Sequence, residues 1–174
     1  MIIIGLGANL PGPWGAPEKT LQAALSTLGE TKGIELLDVS SIWHSAPVPL
    51  SDQPWYANAV CSIETALPPV KLLGVLKKIE QDFGRDERER NAPRIIDLDI
   101  IAYDHLINMD APVIPHPRMH ERAFVLCPLQ EIAPDWTHPA LEQPIDELLE
   151  AMPAGQDIRR GEKLSIPLKI AENA

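Results

Sequence analysis

Residues 34–65, IELLDVSSIWHSAPVPLSDQPWYANAVCSIET, contain two runs typical of β-strands and no helical run between them. Residues 34–44 mix β-branched, apolar and polar side chains, which predicts one long strand. Residues 45–54 hold three prolines and predict an irregular loop. Strand character returns over residues 55–65. The segment therefore predicts two successive strands that are able to pair antiparallel.

The flanking sequence predicts a helix on each side of this strand pair. Apolar residues recur at helical spacing over residues 17–28 and again over residues 69–83, where the pattern ends at Gly84. Residues 1–7 and 95–103 predict one strand before the first helix and one after the second. The order β-α-β-β-α-β indicates an α+β protein with a ferredoxin-like sandwich, in which helices pack on an antiparallel sheet. Beyond this order the sequence predicts a short strand or turn and two further helices, at residues 111–117, 122–132 and 145–152.

The C-terminal residues differ in character from the rest of the chain. We assign residues 1–152 to a single domain and residues 153–174 to a tail. Within the tail, residues 164–170 alternate apolar and polar side chains, a strand pattern that Pro167 confines to a sheet edge. The tail either adds an edge strand to the sheet, pairs with another subunit, or forms a loosely ordered terminus.

Composition and charge restrict the class of protein. The 174 residues are 45% hydrophobic and 23% charged, which is typical of a globular domain with a sizeable core. No apolar run approaches the length of a membrane-spanning helix, so we expect no membrane partner. The formal net charge of −10 argues against a nucleic-acid partner, because nucleic-acid binders need a basic surface. The N-terminal apolar run is too short for a signal sequence, and we expect a cytoplasmic monomer, with a tail-mediated dimer as the alternative.

Two aspartates in the predicted strand 95–103 form the first candidate site. Asp97 and Asp99 are two residues apart, so their side chains leave the same face of a strand while Leu98 points into the core. Neighbouring carboxylates repel each other unless a cation lies between them, and Mg²⁺ prefers such oxygen ligands. The alternative is that both are ordinary solvent-facing strand residues, although aspartate is uncommon in strands.

Four arginines precede these aspartates closely: Arg85, Arg88, Arg90 and Arg94. Guanidinium groups make bidentate contacts with phosphate oxygens, and together with Mg²⁺ they form a polyphosphate site. In phosphoryl transfer most of the catalysis is positioning and charge stabilisation, which such a site supplies. The alternative is a solvated loop in which the arginines pair with the acidic residues between them. That alternative suits Arg94 less well, because apolar residues follow it directly.

Two further segments combine side chains able to bind a nucleotide or a flat ring. His116 lies between prolines and is followed by Arg122 and Phe124, a set suited to phosphate or nucleotide contacts. Tyr56 can stack on a flat ring, and the amide of Asn58 can pair with the edge of a heterocycle. For each of these residues a structural role in the core or a strand is the alternative.

The pair Gly5 and Gly7 follows the first strand and is similar to part of a dinucleotide-binding turn. A third glycine at the required spacing is missing, and no long helix begins immediately. The sequence also lacks a GxxxxGK[ST] phosphate loop. A site for ATP in this chain must therefore be of another kind.

Five separated segments carry a resemblance to a known family. They are, in order, GLGANL (5–10), DQP (52–54) with NA (58–59), Gly84-Arg85, PRIIDLDI (93–100), and PHPRM (115–119) with RAFVL (122–126) and PL (128–129). With their spacing, they resemble the 6-hydroxymethyl-7,8-dihydropterin pyrophosphokinase family of the folate pathway. The similarity runs from about residue 1 to residue 134.

The resemblance implies a ferredoxin-like fold and transfer of the pyrophosphoryl group of ATP to 6-hydroxymethyl-7,8-dihydropterin, which yields the pterin diphosphate and AMP. It implies two Mg²⁺ ions held by Asp97 and Asp99, with catalysis by these aspartates together with Arg85 and Arg94. The residues that it assigns to ATP are Glu80, Arg85, Arg94, Ile100, Val113, His116 and Arg122, with Ile100 and Val113 contributing backbone groups. The residues that it assigns to the pterin are Ser45, Val48, Tyr56, Asn58, Asp97 and Phe124.

Two other classes of function are compatible with the same residues. Another metal-dependent phosphate enzyme on this fold, such as a phosphohydrolase or a cyclase, is distinguished by whether AMP forms only when the pterin is present. A non-enzymatic ligand-binding domain would bind ATP weakly or without regard to Mg²⁺. Measurements of AMP formation and of Mg²⁺-dependent ATP binding therefore distinguish both from the pyrophosphokinase.

Overall fold

The strands of the chain form one antiparallel sheet. The computed structural model describes residues 1–84 and 94–167. Its elements are, in chain order, β1 (Ile2–Ala8), α1 (Pro17–Glu30), β2 (Ile34–Val39), β3 (Ser41–Ser45), β4 (Tyr56–Thr65), α2 (Pro69–Asp82), β5 (Asp97–Tyr103), a 3₁₀ turn (Met119–Glu121), α3 (Ala123–Ile132), α4 (Ile145–Glu150) and β6 (Ile158–Lys163). In these residues the strand order is β5-β1-β4-β3-β6, and β2 also pairs with β4. The predicted α+β, ferredoxin-like fold is confirmed.

Helices cover both faces of the sheet. Along β1, Ile4 and Leu6 pack in the core under α1 and α2, whereas Ile3 packs in a second core under α3 and α4. This division follows from the period of two along a strand, which sends successive side chains to opposite faces. No helix within residues 1–84 and 94–167 is long and apolar enough to cross a membrane.

The prediction of one long strand over residues 34–44 is wrong in one respect. The structure divides this segment at Ser40 into β2 and β3, which lie end to end along the same edge of β4. At the break the buried Ser40 hydroxyl accepts the backbone N–H of Val60 at 3.0 Å. A side chain has therefore replaced a backbone partner in the ladder, and hydrophobic periodicity carries no signal for such an exchange.

The predicted tail strand is displaced along the chain. The structure forms the edge strand from β6, which pairs with β3, and residues 164–167 are not in a strand. Leu164 is buried and Ile166 packs against the core that contains α1, while Ser165 exchanges two hydrogen bonds with the side chain of Gln22. The alternation over residues 164–167 thus reflects packing on α1, not strand pairing. Residues 168–170 of the predicted strand lie outside the described residues.

Candidate active site

An open pocket lies on the α3 side of the sheet. Its walls come from β1, β4 and β5, from the loop after β3, and from the N-terminus of α3. The lining residues with polar, charged or aromatic side chains include Ser45, Ser51, Gln53, Tyr56, Asn58, Arg94, Asp97, Asp99, Arg122 and Phe124. The fold therefore brings together segments that are separated by up to 120 residues in the chain, from Gly5 to Val125.

Two glycines of β1 form part of the pocket floor. Gly5 and Gly7 alternate with Leu6 and face the pocket side of the sheet. A Cβ atom at Gly5 would approach the side chain of Ile101 to 3.0 Å, and one at Gly7 would lie 3.5 Å from Oδ1 of Asn58. These glycines sit within a strand, not in a dinucleotide-binding turn, and their missing side chains leave the floor open.

The two aspartates of β5 face the pocket together. Asp97 and Asp99 both line it, whereas Leu98 between them is buried in the opposite core, as the sequence predicted. Burial, and then the nearby carboxylates of Asp97 and Glu80, raise the pKa of Asp99 to about 6. The pocket therefore holds two carboxyl groups whose simultaneous ionisation is unfavourable in the absence of a cation.

Arg94 forms an ion pair with one of these carboxylates. Its Nη1 donates to Oδ2 of Asp97 at 2.7 Å. The backbone of Arg94 is held in turn by the buried Asn9, whose Oδ1 accepts the N–H of Arg94 at 2.9 Å. The amide nitrogen of Asn9 also donates to Oε1 of Gln53 and to the carbonyl of Pro54. Asn9 thus joins the arginine segment to the loop before β4, a role that sequence reasoning missed although Asn9 belongs to the GLGANL segment.

Glu80 supports β5 from behind. Its side chain on α2 is fully buried, and Oε1 accepts the backbone N–H of Leu98 at 2.7 Å while Oε2 pairs with Nζ of Lys77 at 3.1 Å. Among the residues that the structure describes, β5 is an edge strand, and none of them forms a strand on its outer side to pair with this N–H. Glu80 does not line the pocket. Its predicted contact with ATP stays a prediction, and the role visible in the structure is to hold the backbone between the two aspartates.

Two aromatic rings and one amide also line the pocket. Tyr56 starts β4 and Phe124 lies in the first turn of α3, where the guanidinium carbon of Arg122 is 5.5 Å from the centre of its ring. Burial is the largest of the effects that raise the pKa of Tyr56, so its hydroxyl is neutral near pH 7. Both side chains are able to stack on a flat ring with polar edges.

The amide of Asn58 has a defined orientation. Its nitrogen donates to the carbonyl of Trp43 at 2.9 Å and to the hydroxyl of Ser45 at 2.8 Å. Both amide protons are therefore used within the protein. Within residues 1–84 and 94–167, Oδ1 accepts no hydrogen bond, which leaves it as an acceptor for a ligand N–H.

The six residues predicted to bind the pterin line this single pocket: Ser45, Val48, Tyr56, Asn58, Asp97 and Phe124. Of the residues predicted for ATP, Arg94 and Arg122 line it as well, whereas Ile100, Val113 and His116 lie outside its lining. Ile100 is two residues from Leu98 on the edge strand, so its backbone groups are directed to the same open edge. Arg85 lies outside the described residues, as do Arg88 and Arg90.

His116 is neutral and held beside the pocket. Its Nδ1 accepts the backbone N–H of Arg118 at 3.2 Å, which assigns the ring proton to Nε2. Burial, and then the charge of Arg122, lower the pKa of His116 to about 4. The ring therefore offers an uncharged N–H donor near pH 7.

The carboxylates of Asp97 and Asp99 fit Mg²⁺. Mg²⁺ needs few protein ligands because it retains waters and binds substrate phosphates. The part of the chain that the structure describes contains no group of three or more His, Cys, Asp or Glu side chains that could hold a metal ion. A two-carboxylate site open to a phosphate ligand agrees with that finding, and a cation there would relieve the repulsion that raises the pKa of Asp99.

Comparison with known proteins identifies relatives of this chain. Residues 3–134 match the family described as 7,8-dihydro-6-hydroxymethylpterin-pyrophosphokinase (HPPK). The protein named 2-amino-4-hydroxy-6-hydroxymethyldihydropteridine pyrophosphokinase of Haemophilus influenzae is 42% identical over 84% of this chain and 89% of its own length. Its namesake of Synechocystis is 40% identical over 85% of this chain and 74% of its own length.

Other relatives are much longer than this chain. The folic acid synthesis protein fol1 of Schizosaccharomyces pombe is 40% identical over 90% of this chain, which spans about a fifth (21%) of that relative's length. The crystal structure of wild-type Plasmodium falciparum HPPK-DHPS with STZ-DHP matches with a TM-score of 0.68 at 15% identity, over 86% of this chain and 42% of that one. At this identity the structural likeness shows the fold alone. The sequence matches show the family: the chain belongs to the 7,8-dihydro-6-hydroxymethylpterin-pyrophosphokinase family.

Proposed function

We propose that this chain transfers the pyrophosphoryl group of ATP to 6-hydroxymethyl-7,8-dihydropterin in a Mg²⁺-dependent reaction. Family membership and the names of the bacterial relatives support pyrophosphoryl transfer to the pterin in folate biosynthesis. The observation that carries the proposal is the composition of one pocket, which combines a ring-binding half with a pair of carboxylates and two arginines.

The pterin occupies the half formed by Tyr56, Phe124 and Asn58. The two rings enclose the flat bicycle, and Oδ1 of Asn58, which accepts no hydrogen bond from the described residues, accepts an N–H from its edge. Because both amide protons of Asn58 are bound by Trp43 and Ser45, the amide cannot turn over without losing two hydrogen bonds. The site therefore selects a ligand edge that donates at this point.

The phosphates occupy the half formed by Asp97, Asp99, Arg94 and Arg122. Asp97 and Asp99 would hold the metal, which when bound supplies positive charge to the phosphate oxygens. Arg94 and Arg122 both line the pocket and contribute guanidinium donors to the phosphates. The ion pair with Asp97 holds the guanidinium group of Arg94 beside a proposed metal ligand, where it can also contact a phosphate.

The reaction is an in-line displacement. The hydroxymethyl oxygen of the pterin attacks the β-phosphorus of ATP, a new O–P bond forms, and the bond from the β-phosphorus to the α,β-bridging oxygen breaks. AMP leaves with that electron pair, and the hydroxyl proton is released. The residues of this chain bring the two substrates together and stabilise the developing charge, which is the main form of catalysis in phosphoryl transfer.

The test is the dependence of AMP formation on both the pterin and Mg²⁺. We expect AMP and pterin diphosphate in equal amounts when ATP, Mg²⁺ and hydroxymethyl-dihydropterin are present, and neither product when one is left out. Release of AMP without the pterin would indicate a phosphohydrolase, and formation of cyclic AMP would indicate a cyclase. ATP binding that is weak and insensitive to Mg²⁺ in calorimetry would indicate a non-enzymatic domain. The monomeric state and the cytoplasmic location stay predictions.

A further inference from the structure

The segment between α4 and the end of β6 returns to the pocket, although it lies beyond residues 3–134 that match the family. Gln156 and Asp157 are the residues at which it meets the pocket walls. One wall is the N-terminus of α3, which carries Arg122 and Phe124. The other wall is the end of β3 and the loop that follows it, which carry Ser45 and Val48.

Gln156 holds the first wall. Its Oε1 accepts the backbone N–H of Ala123 at 2.9 Å, and its Nε2 donates to the carbonyl of Glu121 at 2.9 Å. These two bonds fall on either side of Arg122. Arg122 is the N-cap of α3 and makes no side-chain cap hydrogen bond. Gln156 therefore supplies from a distant segment the acceptor that a cap residue normally provides to the first turn of a helix.

Asp157 holds the second wall through its backbone. Its carbonyl accepts the N–H of Ala46 at 3.1 Å, and β6 begins with the next residue, Ile158, opposite Ser45. Ser45 in turn binds the amide of Asn58. Neighbouring residues of one chain segment are thus bonded to the two walls, so this segment is one of the connections that fix the separation of the walls.

The register of this segment is set by an ion pair. Nη2 of Arg160 donates to Oε1 of Glu131 on α3 at 2.8 Å. The same carboxylate accepts the N–H and the hydroxyl of Ser41 and the indole N–H of Trp43. Glu131 consequently links α3, β3 and β6, and prevents β6 from sliding along β3.

We propose that Gln156 is a positioning residue that holds the N-terminus of α3 at the distance from β3 that the pterin requires. The inference rests on the proposed function, since it assigns the pterin to this half of the pocket. Phe124 is a rigid ring that acts through its position, whereas the long side chain of Arg122 can adjust to a small backbone shift. Loss of the Gln156 contacts therefore weakens pterin binding more than nucleotide binding.

The experiment compares Gln156→Ala with Gln130→Ala in the full chain. Gln130 is the matched control, because its Nε2 donates to Asp146 at 2.6 Å and joins α3 to α4 away from the pocket. For Gln156→Ala we expect the Kd of the pterin, measured with a non-hydrolysable ATP analogue and Mg²⁺ present, to rise about five- to thirtyfold, the factor that corresponds to the loss of a helix cap. The Kd of the ATP analogue should stay within about twofold, and both constants should be unchanged in Gln130→Ala.

A second readout does not involve a ligand. The amide proton of Ala123 should exchange with solvent faster in Gln156→Ala and at the wild-type rate in Gln130→Ala. Gln156→Glu retains an acceptor for this N–H but loses the Nε2 donor to the carbonyls of Glu121 and Pro153, so we expect a pterin Kd between those of wild type and Gln156→Ala. If Gln156→Ala does not fold, a Gln156→Glu variant with the wild-type pterin Kd would overturn the proposal.

The outcomes separate the two proposals. Wild-type protein that binds no pterin would contradict the proposed function itself. If wild type binds the pterin and Gln156→Ala binds it with the same Kd, the positioning role alone is overturned. Equal losses for pterin and ATP analogue, or a Gln156→Glu variant as weak as Gln156→Ala, would also overturn it.

Discussion

The carboxylate of Glu80 accepts the backbone N–H of Leu98 at 2.7 Å, at the residue that separates Asp97 from Asp99. β5 is an edge strand, and this bond satisfies a buried N–H that β1 cannot reach. The two pocket carboxylates therefore take their position from a glutamate that lies outside the pocket. Such a contact links the stability of the strand to the geometry of the site.

Glu80→Ala should lower both stability and nucleotide binding. The substitution leaves the N–H of Leu98 buried without its acceptor, which costs about 1–3 kcal/mol in the free energy of unfolding. Urea denaturation measures this loss, and titration with an ATP analogue and Mg²⁺ measures the accompanying rise in Kd. Asp82→Ala on the same helix removes only an exposed ion pair with Lys78 and should change the unfolding free energy by less than about 0.5 kcal/mol. Equal losses of unfolding free energy and of nucleotide affinity in the two variants would show that Glu80 does not support the strand.

Asp97→Asn should nearly abolish turnover while the fold remains intact. The amide has the shape of the carboxylate but lacks its negative charge, so it loses both the metal and the ion pair with Arg94. We expect kcat/KM to fall by about 10³ or more. The measurement is AMP formation under pterin saturation, with circular dichroism to verify the fold. Asp110→Asn, at an exposed loop residue, is the control and should retain full activity. Near-wild-type turnover of Asp97→Asn would contradict the assignment.

Asn58→Ala should weaken pterin binding selectively. It removes the acceptor Oδ1 and both bonds to Trp43 and Ser45, and we expect a loss of about 2 kcal/mol, or about thirtyfold in Kd. Binding of the ATP analogue should change by less than about twofold. Ser45→Ala removes only one of the two bonds that orient the amide, and its effect should be intermediate. A pterin Kd that is insensitive to both substitutions would place the ligand elsewhere.

Glu131→Gln should destabilise the protein in a pH-dependent way. Burial by itself would raise the pKa of Glu131, but hydrogen bonds from Ser41, Trp43 and Arg160 outweigh it and hold the pKa below its ordinary value of 4.5. A carboxyl group with a lowered pKa in the folded state stabilises that state above its unfolded pKa and loses this contribution as the pH falls.

The measurement for Glu131→Gln is the free energy of unfolding at a series of pH values. At pH 7 the variant should be less stable than wild type by about 1–2 kcal/mol. The difference should shrink as the pH falls below about 4.5, because the carboxyl group is then protonated in the unfolded state before it is protonated in the folded state. Glu147→Gln, on the exposed face of α4, should show no such convergence. A constant difference from pH 7 down to pH 3 would show that the charge of Glu131 does not contribute.

Local patterns in the sequence were sufficient for most of the elements. Asp97 and Asp99 were predicted on one face of a strand with Leu98 on the other, and the structure confirms that alternation. The helices predicted at residues 17–28 and 69–83 are present as α1 and α2. These features repeat every two or 3.6 residues, so a short stretch of sequence is sufficient to predict each of them.

The wrong predictions share a cause. The break at Ser40 depends on a hydroxyl that bonds to Val60, and the edge strand formed by β6 depends on the free edge of β3. In both cases the partner lies far away in the chain. A pattern read along one segment contains no information about which distant segment will supply its hydrogen bonds.

The sequence by itself determined the order of strands and helices, the shared face of Asp97 and Asp99, and the family to which the ordered motifs belong. Only the tertiary structure decided how side chains from different segments meet: Arg94 on Asp97, Glu80 behind Leu98, and Gln156 at the N-terminus of α3. The physical reason is that periodicity depends on backbone geometry, which is local. A hydrogen bond between distant residues instead depends on packing, and packing exists only once the whole sheet and its helices have assembled.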